Sequence, residues 1–481
     1  MTFPESISVQ LNCTPSHAEY LIKIFPRKPE LRRTIWGYKE SLFQANPAEA
    51  SPWCGSVYSG VSAVRKFMTP SIVFDPAQRT CYFETKLKRS EQLDKIPNTL
   101  ELAKELIRID STSRRSNLAI IDYIQTILEK SGFVLERLLY ADENGTSKAN
   151  LVAKKGKGRG GFGIFCHSDT VPPGEEEWKP FDPKVEDGRL IGRGSCDMKG
   201  ALAAAIVAGA NIDPAELSKP YYIVITADEE TGMWGAMHVI AESGILKQSW
   251  PENGVVAEPT SLIPIRAHKG AVRIFVTAQG KAAHTSTDKG ISANFLIAPF
   301  LAEMAELADL FRSDKRFMND KFHPPTNGFN MVIDDGGCNP NVTPAKTVCT
   351  MSLRTMPDDS RDMAIDLILK AAEKYGLEGR HLAVEPFSVS AESEILQAAL
   401  DITGCNAGAT AHYGTEALFY QDYVNLIIFG PGDINQAHTV GEWIDIEQIR
   451  AAESYYTQLI KRCCRFQRYA DCKSHKDIEQ D

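Results

Sequence analysis

The chain has 481 residues, of which 43% are hydrophobic and 24% charged, with a formal net charge of −9. That length allows two or three domains with sizeable cores, and the acidic balance argues against a nucleic-acid surface, which needs a clustered basic face. No window approaches the roughly 18 apolar residues of a membrane span, and Met1–Ser6 has neither the basic start nor the apolar core of a secretory signal. The eleven cysteines are an odd count without metal-finger spacing, which fits a soluble protein in the reducing cytoplasm.

Residues 1–95 carry none of the chemistry found later. Ser71 to Phe74, the turn at Asp75-Pro76, and Thr80 to Thr85 read as a hairpin. His17 to Phe25 has the spacing of a short amphipathic helix. Trp36, Trp53 and other aromatics argue for burial over disorder, so this segment is expected to be a small N-terminal extension of unassigned role. The polar stretch Ser90 to Pro97 reads as its linker.

An α/β unit is expected over residues 97–266. Asn98 caps a helix beginning at Thr99, and a second helix runs from Asn117 to Ser131. Strands follow at Phe133–Tyr140, Asn150–Lys154 and Gly163–Cys166. Asp187-Gly188 is a type I′ hairpin signal. A helix starts directly after Asp197, and strand, helix and strand then alternate to Glu258. From His268 the rhythm becomes β-α-β-β-α-β, that of a ferredoxin-like α+β unit, expected as an insertion over 267–388. The α/β pattern resumes over 389–465, leaving 466–481 as a polar tail.

The chemistry lies between Phe165 and Glu258. His167-Ser168-Asp169, Asp197, Asp228-Glu229-Glu230 and Glu258 each come at or just after a short apolar run. Buried parallel strands read as such runs, and α/β sheets place ligands at their carboxyl ends. Singly, each residue has a bland reading: His167 as a packed histidine, Asp197 as a helix cap, Glu229-Glu230 as a solvated pair. Jointly they converge at one sheet edge, where buried carboxylates need a cation or a proton. His438 can add a further ligand, and Asp169 can accept the other ring N–H of His167. Two histidines and several carboxylates, with no cysteine in position, suit a pair of divalent ions, Zn²⁺ or a relative such as Co²⁺. Such a pair activates water, and Glu229 would serve as general base for amide hydrolysis. Cys166 and Cys196 are expected to be structural.

This motif series resembles the dinuclear-zinc family that includes acetylornithine deacetylase, succinyl-diaminopimelate desuccinylase, aminoacylase and carboxypeptidase G. The resemblance covers about residues 97–465. It implies that His167, Asp197 and Glu258 hold one metal, that Asp197 bridges, and that Glu230 and His438 hold the second. It places Glu229 at the general base and Asp169 at the residue orienting the first histidine. It also implies that the insertion is a lid and dimer contact. By the same resemblance His284, in Gly280-Lys281-Ala282-Ala283-His284, would reach the partner subunit's site to stabilise the oxyanion. Asn341 and Arg354 would hold the substrate carboxylate, a task suited to an arginine fork.

The stretches Thr226 to Thr231, Ala257 to Gly270, Tyr413 to Ala417 and Gly430 to His438 are most similar to the acetylornithine deacetylase branch. That implies hydrolysis of N2-acetyl-L-ornithine to L-ornithine and acetate, a step of arginine biosynthesis, by a homodimer. Three departures stand out. The segment before residue 97 has no counterpart in the branch, Ser352 stands where an Asp is common, and Gly414 replaces a Cys. A deacylase or dipeptidase acting on another N-acyl amino acid, such as succinyl-diaminopimelate, fits the same catalytic residues. A non-catalytic binding protein on this fold is the remaining alternative.

Overall fold

The computed structural model describes residues 68–75, 80–87, 96–174 and 178–465. The helix expected at 17–25, most of the linker at 90–97 and the tail at 466–481 lie outside them. The expected hairpin is present: β1 (Met68–Asp75) pairs antiparallel with β2 (Thr80–Leu87). Helix α1 (Thr99–Arg108) starts where the sequence predicts, with the Asn98 side chain accepting from the Glu101 N–H, a cap worth about 1 kcal/mol.

Then come α2 (Leu118–Lys130), β3 (Val134–Ala141), β4 (Ser147–Lys155) and β5 (Phe162–His167). The Asp187-Gly188 turn, with φ of 48° and 77°, joins β6 (Lys184–Glu186) to β7 (Arg189–Ile191). These are the two positive φ values a type I′ turn requires. Next are α3 (Gly200–Ala210), β8 (Tyr221–Thr226), α4 (Trp234–Glu242) and β9 (Asn253–Val256). Strand β10 (Ile265–His268) leads into the ferredoxin-like unit: β11 (Ala271–Gln279), α5 (Ala293–Ser313), β12 (Gly328–Asp334), β13 (Lys346–Arg354), α6 (Ser360–Lys374) and β14 (Glu378–Val384). The chain closes with β15 (Phe387–Ser388), α7 (Glu394–Thr403), β16 (Ala409–Ala411), β17 (Asn425–Ile428), β18 (Trp443–Asp445) and α8 (Ile446–Cys464).

The large sheet runs β15-β10-β17-β9-β5-β8-β4-β3, with β16 beside β10. Its centre, β17-β9-β5-β8, is parallel, and antiparallel neighbours flank it. Alternation along each central strand sends side chains to opposite faces. Phe162, Ile164 and Cys166 of β5 pack with Leu106, Ile206 and Tyr456 on one face, whereas Phe165 packs with Val239 and Tyr420 on the other. Both faces are therefore covered, which is why these strands read as continuous apolar runs. From β5 the chain moves to β8 on one side and then to β9 on the other. The order thus reverses at β5, the switch point where α/β sheets open a crevice.

The smaller sheet runs β12-β13-β11-β14, antiparallel throughout. Along β11, Val272, Ile274, Val276 and Ala278 are buried against Phe300 and Met304 of α5 and Ile368 of α6. Strands β10, β15, β16 and β18 had no sequence signal. At two to four residues each, they are at or below the shortest window in which a two-residue period can be recognised, and none is a continuous apolar run like β9.

Candidate metal centre

The site forms at the carboxyl ends of the parallel strands. His167 is the last residue of β5 and is buried. Its Nδ1 lies 3.0 Å from the Asp169 carbonyl, and the Asp169 carboxylate is farther, at 3.7 Å. A carbonyl can only accept, so Nδ1 carries the proton and Nε2 is the atom turned to the carboxylates. Nε2 lies 3.0 Å from Asp197 Oδ1 and 3.8 Å from Glu258 Oε1.

Asp197 sits in a tight turn ahead of α3. The turn opens at Gly194 (φ 81°) and closes with the Lys199 N–H donating to the Gly194 carbonyl at 2.7 Å. The Asp197–Met198 peptide bond is cis. Asp197 does not cap α3, because Lys199 occupies the position before Gly200. Its second oxygen, Oδ2, lies 3.4 Å from His438 Nε2, which is also 3.0 Å from Glu230 Oε2. One carboxylate therefore faces two histidines.

Glu229 and Glu230 leave β8 through Asp228, whose φ is 60°. Lys148 Nζ donates to Asp228 Oδ1 at 2.6 Å and the Tyr140 hydroxyl to Oδ2 at 2.7 Å, fixing that bend. Asp169 accepts from the Glu229 N–H and the Glu230 N–H, each at 3.3 Å, and from the Ser113 hydroxyl at 2.8 Å. Sequence reasoning missed Lys148, Tyr140 and Ser113; nothing in their local pattern separates them from ordinary strand and loop residues.

Electrostatics mark the cluster as short of positive charge. Burial first, then Asp197 and the other acids, push the Glu258 carboxyl well above the usual range, against the pull of His167. Burial, Glu230 and Asp197 do the same to Glu229, again opposed by His167. Glu230 is raised by burial and Asp197. Burial disfavours charge on His167, but its hydrogen bond to Asp197 and the charge of Glu258 outweigh that and raise it well above its ordinary value. Hydrogen bonds to Asp197 and Glu230 raise His438 to about 10. Burial opposes ionisation of Asp197, yet the two histidines hold it below the usual carboxylate range.

The residues fit a pair of cations. Ligand-type atoms of His167, Asp197 and Glu258 lie within 4.8 Å of one another, as do those of Asp197, Glu230 and His438. Glu230 Oε1 is buried and has no hydrogen-bond partner, a costly state for a carboxylate oxygen unless a cation meets it. The donor set is imidazole and carboxylate, the chemistry of Zn²⁺ and its neighbours. Cys166 and Cys196 are buried, and burial raises both thiols.

A cavity of about 630 Å³ opens onto Glu229, Glu230 and His438, with Arg354, Lys269, His412 and Tyr413 on its wall. Arg354 thus shares a cavity with the cluster. His284 and Asn341 do not line it. They lie together on the smaller unit, where the Thr285 N–H donates to the Asn341 carbonyl at 3.0 Å and His284 Nδ1 lies 2.7 Å from the Ser286 hydroxyl. Lys269, His412 and Tyr413 were not singled out from the sequence, although Lys269 and Tyr413 fall in stretches that carry the resemblance.

The family model for peptidase family M20/M25/M40 matches residues 163–462. A relative from Myxococcus xanthus named acetylornithine deacetylase is 32% identical over 385 residues, covering 77% of this chain and 99% of the relative. Another of that name, from Proteus mirabilis, is 32% identical over 387 residues, covering 77% and 98%. Among solved structures, the aminopeptidase PepT from Bacillus cereus superposes with a TM-score of 0.60 at 17% identity, covering 76% of this chain and 98% of its own. A dinuclear metal-binding M20 peptidase from Bacillus subtilis gives 0.54 at 16% identity, covering 76% and 96%. The nine-stranded sheet with a metal-ligand cluster at its parallel strand ends, and relatives matched almost end to end, lead to one conclusion: this chain belongs to peptidase family M20/M25/M40, as a metal-dependent amide hydrolase.

Proposed function

We propose that the protein deacetylates N2-acetyl-L-ornithine to L-ornithine and acetate, a step of arginine biosynthesis, with two divalent ions, zinc in the native enzyme and cobalt as a working substitute. The observation that carries the two-ion reading is Asp197, which turns one oxygen to His167 and the other to His438. The substrate is carried by the names of the relatives at 32% identity.

In this reading His167, Asp197 and Glu258 hold one ion, and Asp197, Glu230 and His438 the other. The ions supply Lewis-acid polarisation of the amide carbonyl and a lowered pKa for water. Glu229, raised by burial and its acidic neighbours, takes the proton from the attacking water and hands it to the leaving amine. A carboxyl raised above its ordinary range holds a proton more readily than a free one, which suits a group that must take the proton and pass it on. Arg354, on the wall of the same cavity, binds the substrate carboxylate with its guanidinium fork. Asn341 and His284 act from the smaller unit, which serves as lid. In a homodimer His284 would reach the partner's site and stabilise the oxyanion. An apolar surface supports that assembly: Phe295 on α5 is 82% exposed and Val332 on edge strand β12 is 61% exposed, with Ile291 and Ile333 also exposed. These exposed apolar side chains, together with an edge of β12 that is unpaired among the described residues, suit burial against a second copy. No helix among the described residues is long and apolar enough to cross a membrane.

The test is hydrolysis of N2-acetyl-L-ornithine beside acetylmethionine, succinyl-diaminopimelate and a dipeptide, with and without chelator and added Zn²⁺ or Co²⁺. Preference for acetylornithine, lost on chelation and restored by metal, is the expected result. Metal-dependent turnover of another acyl amino acid would keep the chemistry and move the substrate. No turnover from metal-loaded protein would overturn the proposal.

A further inference from the structure

The Asp197 turn is held by a residue that the catalytic chemistry does not use. Glu442 is fully buried, and both its oxygens are spent on one short segment. Oε1 accepts from the Cys196 N–H at 2.8 Å and the Asp197 N–H at 3.0 Å. Oε2 accepts from the Gly194 N–H at 3.0 Å and from Arg193 Nη1 at 2.7 Å. Three of these four donors are main-chain amides of the turn that presents Asp197. A buried carboxylate needs its remaining lone pairs satisfied, and here the donors that do so are the amides of the turn that presents Asp197.

Glu442 also lies four residues after His438. The strand between them and α8 is laced to the same segment. The Gly192 N–H donates to the Glu442 carbonyl at 2.9 Å, β18 pairs with β7 through Trp443 and Ile191, and the Ile446 N–H donates to the Gly188 carbonyl at 3.0 Å. One short stretch therefore supplies a histidine to the cluster and, through Glu442, grips the turn that supplies the carboxylate facing it. The 3.4 Å separation of His438 Nε2 from Asp197 Oδ2 is set at both ends by this stretch.

We propose that Glu442 is the positioning residue that keeps Asp197 and His438 in register for the second cation, an inference that rests on the two-ion reading above. Only a carboxylate satisfies the arrangement. A glutamine would turn its NH₂ group toward amide N–H donors at one of the two oxygen positions, opening part of the turn.

The experiment compares the parent protein with Glu442→Gln, and with Glu447→Gln as an exposed control from the same stretch. Each is stripped of metal and titrated with Co²⁺, following bound cobalt by equilibrium dialysis and its visible absorption spectrum. Outer residues that orient ligands typically alter metal affinity about 10–100-fold. Glu442→Gln should bind the second ion, which depends on both Asp197 and His438, at least about ten-fold more weakly, weaken the first ion, which shares Asp197, by a smaller factor, and change the cobalt spectrum. Its kcat should fall with KM held within about two-fold, since the cavity wall around Arg354 is untouched. A folded Glu442→Gln that binds two cobalt ions with parental affinity and spectrum overturns the inference while leaving the two-ion reading intact. A parent that binds no cobalt sinks both. Should the variant not fold, hydrogen exchange on the metal-free parent decides. The amides of Gly194, Cys196 and Asp197 should be protected before any ion is added, and fast exchange there refutes a turn preorganised by Glu442.

Discussion

Asp169 grips Glu229 by its main chain. Its Oδ1 accepts from the Glu229 N–H, its Oδ2 accepts from the Glu230 N–H, and its own carbonyl lies 3.0 Å from Nδ1 of His167. One residue thus sets the ring of a histidine at the end of one strand and the backbone of two carboxylates at the end of the next. An asparagine offers one acceptor where the aspartate offers two, so Asp169→Asn leaves one amide facing an NH₂ group. The expected cost is about 1–3 kcal/mol of stability, with kcat reduced about 10–100-fold while metal content is retained. Thermal melting and turnover measured on the same preparation check both, and a variant with parental kcat would contradict the assignment.

Glu229→Gln removes the proposed base while keeping the shape of the turn. General-base catalysis is typically worth about 10²–10⁴-fold, so kcat should fall by that order with two ions still bound. Metal analysis beside a turnover assay separates this from loss of a ligand. Normal turnover would mean that another group takes the proton.

The metal-free site should be pH-sensitive in a direction opposite to metal binding. The folded-state pKa of His438 is raised from 6.5 to about 10 by Asp197 and Glu230. The stabilisation from its protonation is therefore complete below 6.5 and lost as pH rises through about 10. A cation needs that nitrogen deprotonated, so affinity should rise across the same window, with protons released on binding. The gap in Tm between zinc-loaded and metal-free protein should widen from pH about 6.5 to about 9.5. A constant gap would contradict the role given to His438.

Gly430 lies two residues beyond β17, close against the segment that leaves its parallel neighbour β9. A Cβ added there would lie 2.3 Å from the Ala257 carbonyl oxygen and 2.5 Å from that of Glu258. Both are backbone atoms, so no rotamer change relieves the clash. Gly430→Ala should cost about 1–3 kcal/mol or more by overpacking and displace Glu258, seen as a lowered Tm together with weaker metal binding. Unchanged metal affinity in a destabilised variant would show that Glu258 is positioned independently of this close approach.

The apolar surface of the smaller unit predicts assembly. Placing charge on it through Phe295→Arg with Val332→Lys should leave a folded monomer, since both side chains are largely exposed in the single chain. Sedimentation of parent and variant reads this directly. If His284 acts across the dimer, activity should fall with dissociation, and a fully active monomer would remove that role.

Much of the catalytic unit was legible because its physics is local. The runs ending in His167 and Thr226 are apolar because both faces of those strands are covered, and the Asn98 cap and the Asp187-Gly188 turn rest on conformations their own residues prefer. The β-α-β-β-α-β order likewise gave the smaller unit its architecture. Residue type at strand ends then pointed to a cation-binding cluster. What the tertiary structure decided is everything set by groups distant along the chain. The sequence could not tell whether Asp197 caps a helix or faces two histidines, because its turn is held by Glu442 from 245 residues away. Nor could it show that Arg354 shares a cavity with Glu229 while His284 and Asn341 stand outside it. Periodicity reports which face of an element is buried, whereas a carboxylate's partners depend on which backbone amides the completed fold brings to it.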